Sequence, residues 1–296
     1  MQENLPYKTY GEFLAERFPW KMQKLSVDIG FSCPNRDGTL GYGGCIYCDN
    51  TTFVPAYCNA SDSITTQLEK GKKFFRKKYP DLHYLAYFQA YTSTYSTKRE
   101  ILTDIYRQAL LIDDVEGIII STRPDCIDEG LISQIKNLAV DKRIMFEIGV
   151  ETWHDETLKL INRNHAVSDV IRAVRLITDS GMDVGLHLIM GLPGETEEMM
   201  LQSIVEACSQ PITSLKLHQL QIIKGTPLHK LWEIGEIEPH IFTVEEYIDF
   251  CKKAITVIPR NIAIERFTAS APPSQLIAPK WGIKNYEFVH LLNKAL

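Results

Sequence analysis

The chain has 296 residues, 45% hydrophobic and 23% charged, with a formal charge of −5. That is the composition of a soluble globular protein long enough for two ordinary domains or one large α/β barrel. It excludes a surface basic throughout, so a nucleic-acid partner would need a local patch, and no apolar run approaches the roughly 18 residues of a membrane span.

In chain order, the first 24 residues mix acids and aromatics without an apolar core segment, so no signal peptide is expected and the cytoplasm is the expected compartment. Short β-branched or apolar runs follow at 25–30, 85–91, 117–123, 145–151, 184–193 and 215–223, each with the character of a strand. Helical periodicity lies between them at 97–111, 128–140, 168–180 and 195–208. A further helix is expected over 63–80, opened by Ser63, with Ile64, Leu68, Phe75 and Tyr79 on one face and Lys70, Lys72, Lys73, Arg76, Lys77 and Lys78 on the rest. Such a basic face serves phosphate contact or plain solvation.

Six βα units in a row imply a parallel sheet with right-handed crossovers, and the expected architecture is a partial TIM-type (β/α)6 barrel. We expect an N-terminal extension at 1–24, the barrel over 25–260 and a closing segment with a capping helix over 261–296, since no linker or repeat interrupts the middle. Chemistry in such folds gathers on the loops after the strands. Here those loops are the cysteine segment, Gln89 to Thr92, Ser121 to Arg123, Glu147 to Glu151, Gly191 to Glu195 and Gln219 to Lys224.

Three of the seven cysteines fall in "CPNRDGTLGYGGCIYC", with Cys33, Cys45 and Cys48 spaced C-x11-C-x2-C. In a cytosolic chain an odd set argues for metal binding or catalysis rather than disulfides, while Cys58, Cys126, Cys208 and Cys251 suit small buried positions. Zinc would need a fourth ligand, for which Cys58 is the nearby thiol. A four-iron cluster on three thiolates leaves one iron open to a chelating small molecule and fits better, though both readings stand on residue types alone.

The aromatic before the last cysteine in "CIYC", at the end of the first barrel strand, resembles the radical S-adenosylmethionine (radical SAM) superfamily. That family generally spaces its cysteines C-x3-C-x2-C. The longer spacer here, with "YFQAYTSTY", "STRPDC", "FEIGVET", "NRNH" and "IMGLPGET", is similar to the YhcC/YtqA-type subfamily, near the elongator-protein and anaerobic coproporphyrinogen oxidase branch. The resemblance implies a [4Fe-4S] cluster on Cys33, Cys45 and Cys48, with SAM on the fourth iron. It implies Tyr47 near the adenine, Ala90 to Thr92 by the SAM amino group, and Ser121 and Arg123 on the ribose side. Glu151, Arg163 and His187 would line the SAM pocket, and Gly191 to Glu195 would shape the loop over the adenine. Arg163 suits a carboxylate through its planar fork of donors.

Each assignment has a structural alternative. Glu147 and Glu151 would serve as buried carboxylates paired with Arg143, Arg163 or Arg172. His187 and His218 would be satisfied core residues, Lys216 and Lys224 rim lysines, and "GLPGE" a strand-to-helix turn.

The implied reaction is reductive cleavage of SAM to a 5′-deoxyadenosyl radical, with a flavodoxin or ferredoxin as electron donor. No second cysteine pair suggests an auxiliary cluster, and the chain looks short for the acetyl-transfer domain of elongator proteins. The resemblance points to the side chain of a tRNA wobble uridine as substrate, with a small molecule as the alternative. A non-enzymatic four-thiolate zinc barrel acting as an RNA or protein scaffold is the competing reading.

Overall fold

The computed structural model describes residues 5–52, 54–96, 98–138 and 141–296. The described residues form ten strands and ten α-helices. The strands are β1 (Lys8–Thr9), β2 (Lys21–Val27), β3 (Leu82–Phe88), β4 (Val115–Thr122), β5 (Arg143–Glu151), β6 (Asp183–Met190), β7 (Ser214–Gln219), β8 (Ile222–Ile223), β9 (Ala263–Arg266) and β10 (Leu276–Ala278). The helices are α1 (Tyr10–Ala15), α2 (Ile64–Arg76), α3 (Arg99–Leu110), α4 (Glu129–Lys136), α5 (Asp155–Leu160), α6 (Val167–Asp179), α7 (Glu197–Cys208), α8 (Pro227–Glu233), α9 (Val244–Val257) and α10 (Asn285–Ala295). Among the described residues no helix is long and apolar enough to cross a membrane.

Eight strands form one parallel sheet in the order β1-β9-β7-β6-β5-β4-β3-β2, and β8 pairs with β10 antiparallel. The sheet curls into a half-barrel. Lys24 of β2 reaches Glu265 of β9 at 2.8 Å, so side chains from the two ends of the curl meet across the open seam.

The six expected strands are present as β2 to β7, with shifted bounds. β2 starts at Lys21 rather than 25 because Lys21 and Lys24 break its apolar run, yet Lys24 turns inward and is paired there. β9 and β1 extend the sheet beyond six units, and both are too short to show alternation. The expected helices appear as α3, α4, α6 and α7. Residues 97, 139 and 140, at the ends of two of them, lie outside the described residues.

Alternation along each strand divides the side chains between two faces. Outward residues such as Leu25, Phe88, Ile120, Ile148, Leu186 and Leu217 pack under the helices in the main core. Burying each stabilises by roughly 1.5–3 kcal/mol. Inward residues form layers. The lowest is apolar: Leu85, Ile119, Met145 and Ala263 close around Phe13 and Phe18, carried by α1 and the turn after it. A capping box starts α1, with Thr9 accepting from Glu12 N at 3.2 Å and Thr9 N donating to the Glu12 carboxylate at 2.7 Å. The C-terminal α10 packs on α9, setting Phe288 against Tyr247 and Trp281.

The basic helix is α2, capped by Ser63, which accepts from Thr66 N at 3.1 Å. Its basic face is smaller than the sequence implies. Lys72 is buried and donates to Asp113 O at 2.5 Å, because its long stem covers apolar surface while its head finds a carbonyl. Lys70 pairs with Asp62 and Arg76 with Asp114, each at 2.6 Å.

Candidate active site

Above the apolar layer the inner face carries charge. Lys24, Glu147, Lys216 and Glu265 form a closed quartet: Glu147 meets Lys24 at 2.5 Å and Lys216 at 2.6 Å, and Glu265 meets the same lysines at 2.8 and 3.1 Å. Tyr87 donates to Glu147 at 2.5 Å and accepts from Lys216 at 3.0 Å. Burial works against ionisation of Glu147, but Lys216 and Lys24 override it and hold the carboxyl well below its ordinary range. Glu147 therefore pairs with lysines from β2 and β7, not with the arginines the sequence offered.

Glu147 and Lys216 of this quartet floor a cleft of about 180 Å³ at the C-terminal ends of the strands. Cys33, Cys45 and Cys48 open into it from the loop after β2, and Tyr47, Thr92, Ser121, Arg123, Glu151, Arg163 and His187 line it. The structure thus brings the expected site residues together, apart from Ala90 and the Gly191 to Glu195 loop. Ala90 is buried and faces a smaller pocket shared with Ser26, Cys58 and Gln89, because it sits in the bend after β3, before Tyr91 turns the chain at φ 53°. Gly191 to Glu195 also falls outside the cleft lining. Its Leu192 packs in the apolar cluster behind Tyr47, so the loop backs the tyrosine instead of covering the cleft.

The loop holding the cysteines is clamped by a segment that sequence reasoning did not assign. Asn35 donates to Asn162 O and Asn164 to Asn35 Oδ1, both at 2.5 Å, while Asn162 donates to Gly44 O at 2.8 Å. Asn162 and Asn164 hold φ of 53° and 55°, left-handed values that Asn tolerates better than most residues. Gly41 is required by the same clamp, since a Cβ there would lie 2.7 Å from both Asn164 Nδ2 and Asn35 Oδ1. The two asparagines of "NRNH" were the available signal.

The clamp also sets Arg163 at the thiols. Its Nη1 lies 3.6 Å from Cys45 Sγ, its Nη2 donates to Gly149 O at 2.6 Å, and the same nitrogen is 3.1 Å from Glu151 Oε1. Gly149 leaves room for this, as a Cβ would lie within 2.8 Å of both partners. A bulge in β5 between Gly149 and Glu151 puts Glu151 at φ 73°, a strained value for a side-chain-bearing residue. Arg123 forks onto Asp125 with two bonds of 2.9 Å and reaches Arg163 O at 2.8 Å.

Several buried atoms of this rim make no hydrogen bond: Arg123 Nη1, Arg163 Nε, Glu151 Oε2 and His218 Nε2. Buried polar atoms without partners are costly, and here both cationic and anionic ones flank open volume. That donor and acceptor set fits a ligand carrying both an amine and a carboxylate, as the methionyl end of SAM does, beside three thiols suited to a cluster.

Cys58 stands apart, its thiol donating to Ser26 O at 2.9 Å and pushed up by burial to about 12. The four-thiolate zinc reading loses its fourth ligand. Among the described residues no three His, Cys, Asp or Glu side chains are grouped to hold a single metal ion.

Comparison with known proteins agrees with this geometry. Residues 32–207 match the radical SAM superfamily and residues 212–296 the Radical_SAM C-terminal domain. The chain is similar to the protein YtqA of Bacillus subtilis strain 168, 33% identical over 98% of this chain and 89% of that one. It is similar to the tRNA uridine(34) acetyltransferase of Methanocaldococcus infernus, 31% identical over 60% of this chain but 32% of that one. Its fold matches the solved structure of the archaeal M. infernus Elp3 lacking residues 1–46, with a TM-score of 0.64 at 22% identity, covering 93% of this chain and 62% of that one. The family uses a [4Fe-4S] cluster and SAM. With three thiols at the strand ends of a curled parallel sheet and its central stretch matching throughout, the chain belongs to the radical SAM superfamily and is a radical SAM enzyme.

Proposed function

We propose that Cys33, Cys45 and Cys48 hold the [4Fe-4S] cluster, that the Glu151–Arg163 rim holds SAM, and that the substrate is a uridine side chain at the wobble position of tRNA. The observation that carries the reading is the convergence of the three thiols and the unpartnered rim atoms on one cleft. When bound, the cluster and SAM together supply one-electron cleavage to methionine and a 5′-deoxyadenosyl radical that takes a hydrogen atom from substrate.

The chain's own residues bind and orient. Arg163 and Arg123 offer donors to a carboxylate, Glu151 offers an acceptor to an amine, and Tyr47 offers a ring face for the adenine. The paired floor and the apolar plug beneath it exclude water from below. A reductant protein such as flavodoxin or ferredoxin would deliver the electron.

The tRNA part draws on the likeness to the M. infernus tRNA uridine(34) acetyltransferase and on Lys73, Lys77 and Lys78, on and just after α2, whose charge is not taken up by acids among the described residues. A small-molecule substrate is the second reading, favoured by a cleft floored by paired charges and walled by polar side chains from successive strand ends.

Anaerobic reconstitution with iron and sulfide assays, then SAM cleavage under reductant, tests the enzyme. A colourless protein holding one zinc would overturn the cluster assignment. Nucleoside profiles of tRNA from cells with and without the protein test the substrate, and identical profiles would remove the tRNA reading alone.

A further inference from the structure

His187 and His218 remain once the other charges of the cleft are assigned. β6 and β7 set them side by side on the inner face, just above the floor. His187 Nε2 lies 2.9 Å from His218 Nδ1, the rings crossing edge to face, so a single shared proton joins them. At its other end His187 Nδ1 lies 3.4 Å from Glu151 Oε2, an ion-pair contact without a hydrogen bond that leaves this oxygen open to a further donor, and Glu151 is tied by its second oxygen to Arg163.

A carboxylate ion-paired with a guanidinium only accepts hydrogen bonds, and a neutral imidazole has one N–H to give. A bare Nδ1 would set its lone pair against that oxygen. His187 therefore carries its proton on Nδ1 and leaves Nε2 as an acceptor. His218 must then donate through Nδ1, which strips its own Nε2. Burial favours the neutral rings this requires, pushing His187 down to about 4 against the pull of Glu151, and His218 well below its ordinary value with help from His187 and Arg266. The stripped nitrogen is buried and has no partner in the protein. Lys216, Glu147 and Arg266 are the other charged groups around it, and both Lys216 and Glu147 are engaged in the floor.

We propose that Arg163, Glu151 and His187 form a tautomer-fixing chain that presents the bare Nε2 of His218 to the substrate as a hydrogen-bond acceptor for a ring N–H, the imide N–H of a uracil base. The choice of uracil rests on the tRNA uridine reading above; the tautomer does not. His218 is then a substrate-binding residue, and His187 and Glu151 position it.

The test is ¹⁵N-histidine NMR of the cluster-loaded enzyme under argon with the cluster oxidised. The expected spectrum has His187 protonated on Nδ1 and His218 bare on Nε2. His187→Phe removes the acceptor and should return His218 to the Nε2–H form. Glu151→Ala, a second variant should the first misfold, should populate both tautomers. A protonated His218 Nε2 in the wild type, or an unchanged tautomer in a folded variant, overturns the chain. Millimolar uridine should shift the His218 Nε2 resonance, and N3-methyluridine, which lacks the imide N–H, should not. Equal responses, or none, overturn the N–H contact, while the nucleoside profiles judge the tRNA reading separately.

Discussion

Two successive layers of the same inner barrel face are both buried and both charged, yet they are built on opposite terms. In the floor, two lysines and two glutamates satisfy one another in a closed ring, with Tyr87 completing it. In the rim, Glu151, Arg163 and His218 each keep an atom that makes no hydrogen bond, and the backbone at Glu151 is held at a strained positive φ. A satisfied network rigidifies, whereas an unsatisfied one is retained where a ligand completes it. Burial and charge alone do not distinguish a binding residue from a structural one; the count of open valences does.

The sharpest way to break this contrast is at the cysteines above both layers. Cys33→Ala, Cys45→Ala or Cys48→Ala should abolish iron binding outright while leaving the apo protein folded, as read by iron per chain and circular dichroism. Retention of a full cluster by any of the three would remove that thiol from the site.

The floor should answer in stability. Glu147→Ala leaves Lys24 and Lys216 buried beside one remaining carboxylate, and breaking a buried pair costs about 3–5 kcal/mol. Urea unfolding would read this, and a loss under about 1 kcal/mol would place the ring among features that hold nothing. The rim should answer in ligand binding. Glu151→Gln and Arg163→Gln should keep their iron but lose the stabilisation SAM gives the wild type, about 2.7 kcal/mol at a hundredfold excess over Kd. Wild-type SAM binding in both variants would make the rim structural as well.

Acid should separate the layers in order. His187 is pushed down by burial to about 4, and His218 well below its ordinary value. Between roughly pH 6.5 and 4 the unfolded chain takes up protons that the native rim refuses, so stability falls as pH drops through that window. Glu147, depressed in the native state, contributes stability above about pH 4.5 that is lost only as pH falls further, toward its native value. Melting temperature against pH should therefore slope below pH 6.5, and His187→Gln should lessen that slope without moving the steeper loss at lower pH.

The smallest effects lie outside both layers. Cys58→Ala should be nearly silent toward iron. Reversing Lys73 and Lys77 to Glu should weaken tRNA binding across sequences and lower its salt slope by about 0.7 per lost phosphate contact, with uncoupled SAM cleavage unchanged. An unaltered slope would reduce α2 to a solvated helix.

Six strands and the helices between them were legible because buried parallel strands are continuous apolar runs, and helical spacing marks their covers. The cysteine loop was legible because its spacing is local. β1 and β9 were not, since strands of two and four residues carry no periodicity of their own and exist only because neighbouring edges offer hydrogen bonds.

By itself, the sequence determined the parallel α/β architecture, the thiols at the end of the first long strand and most of the residues around them, because these follow from alternation and short-range spacing. Only the tertiary structure decided how those residues divide. Lys24 and Glu265 are 241 positions apart and meet because the sheet curls. Asn35 clamps the cysteine loop through Asn162 and Asn164, and Lys72 leaves the basic face for a buried carbonyl. Which charges are paired and which are left open depends on contacts between distant segments, and such contacts leave no mark on the local pattern of a chain.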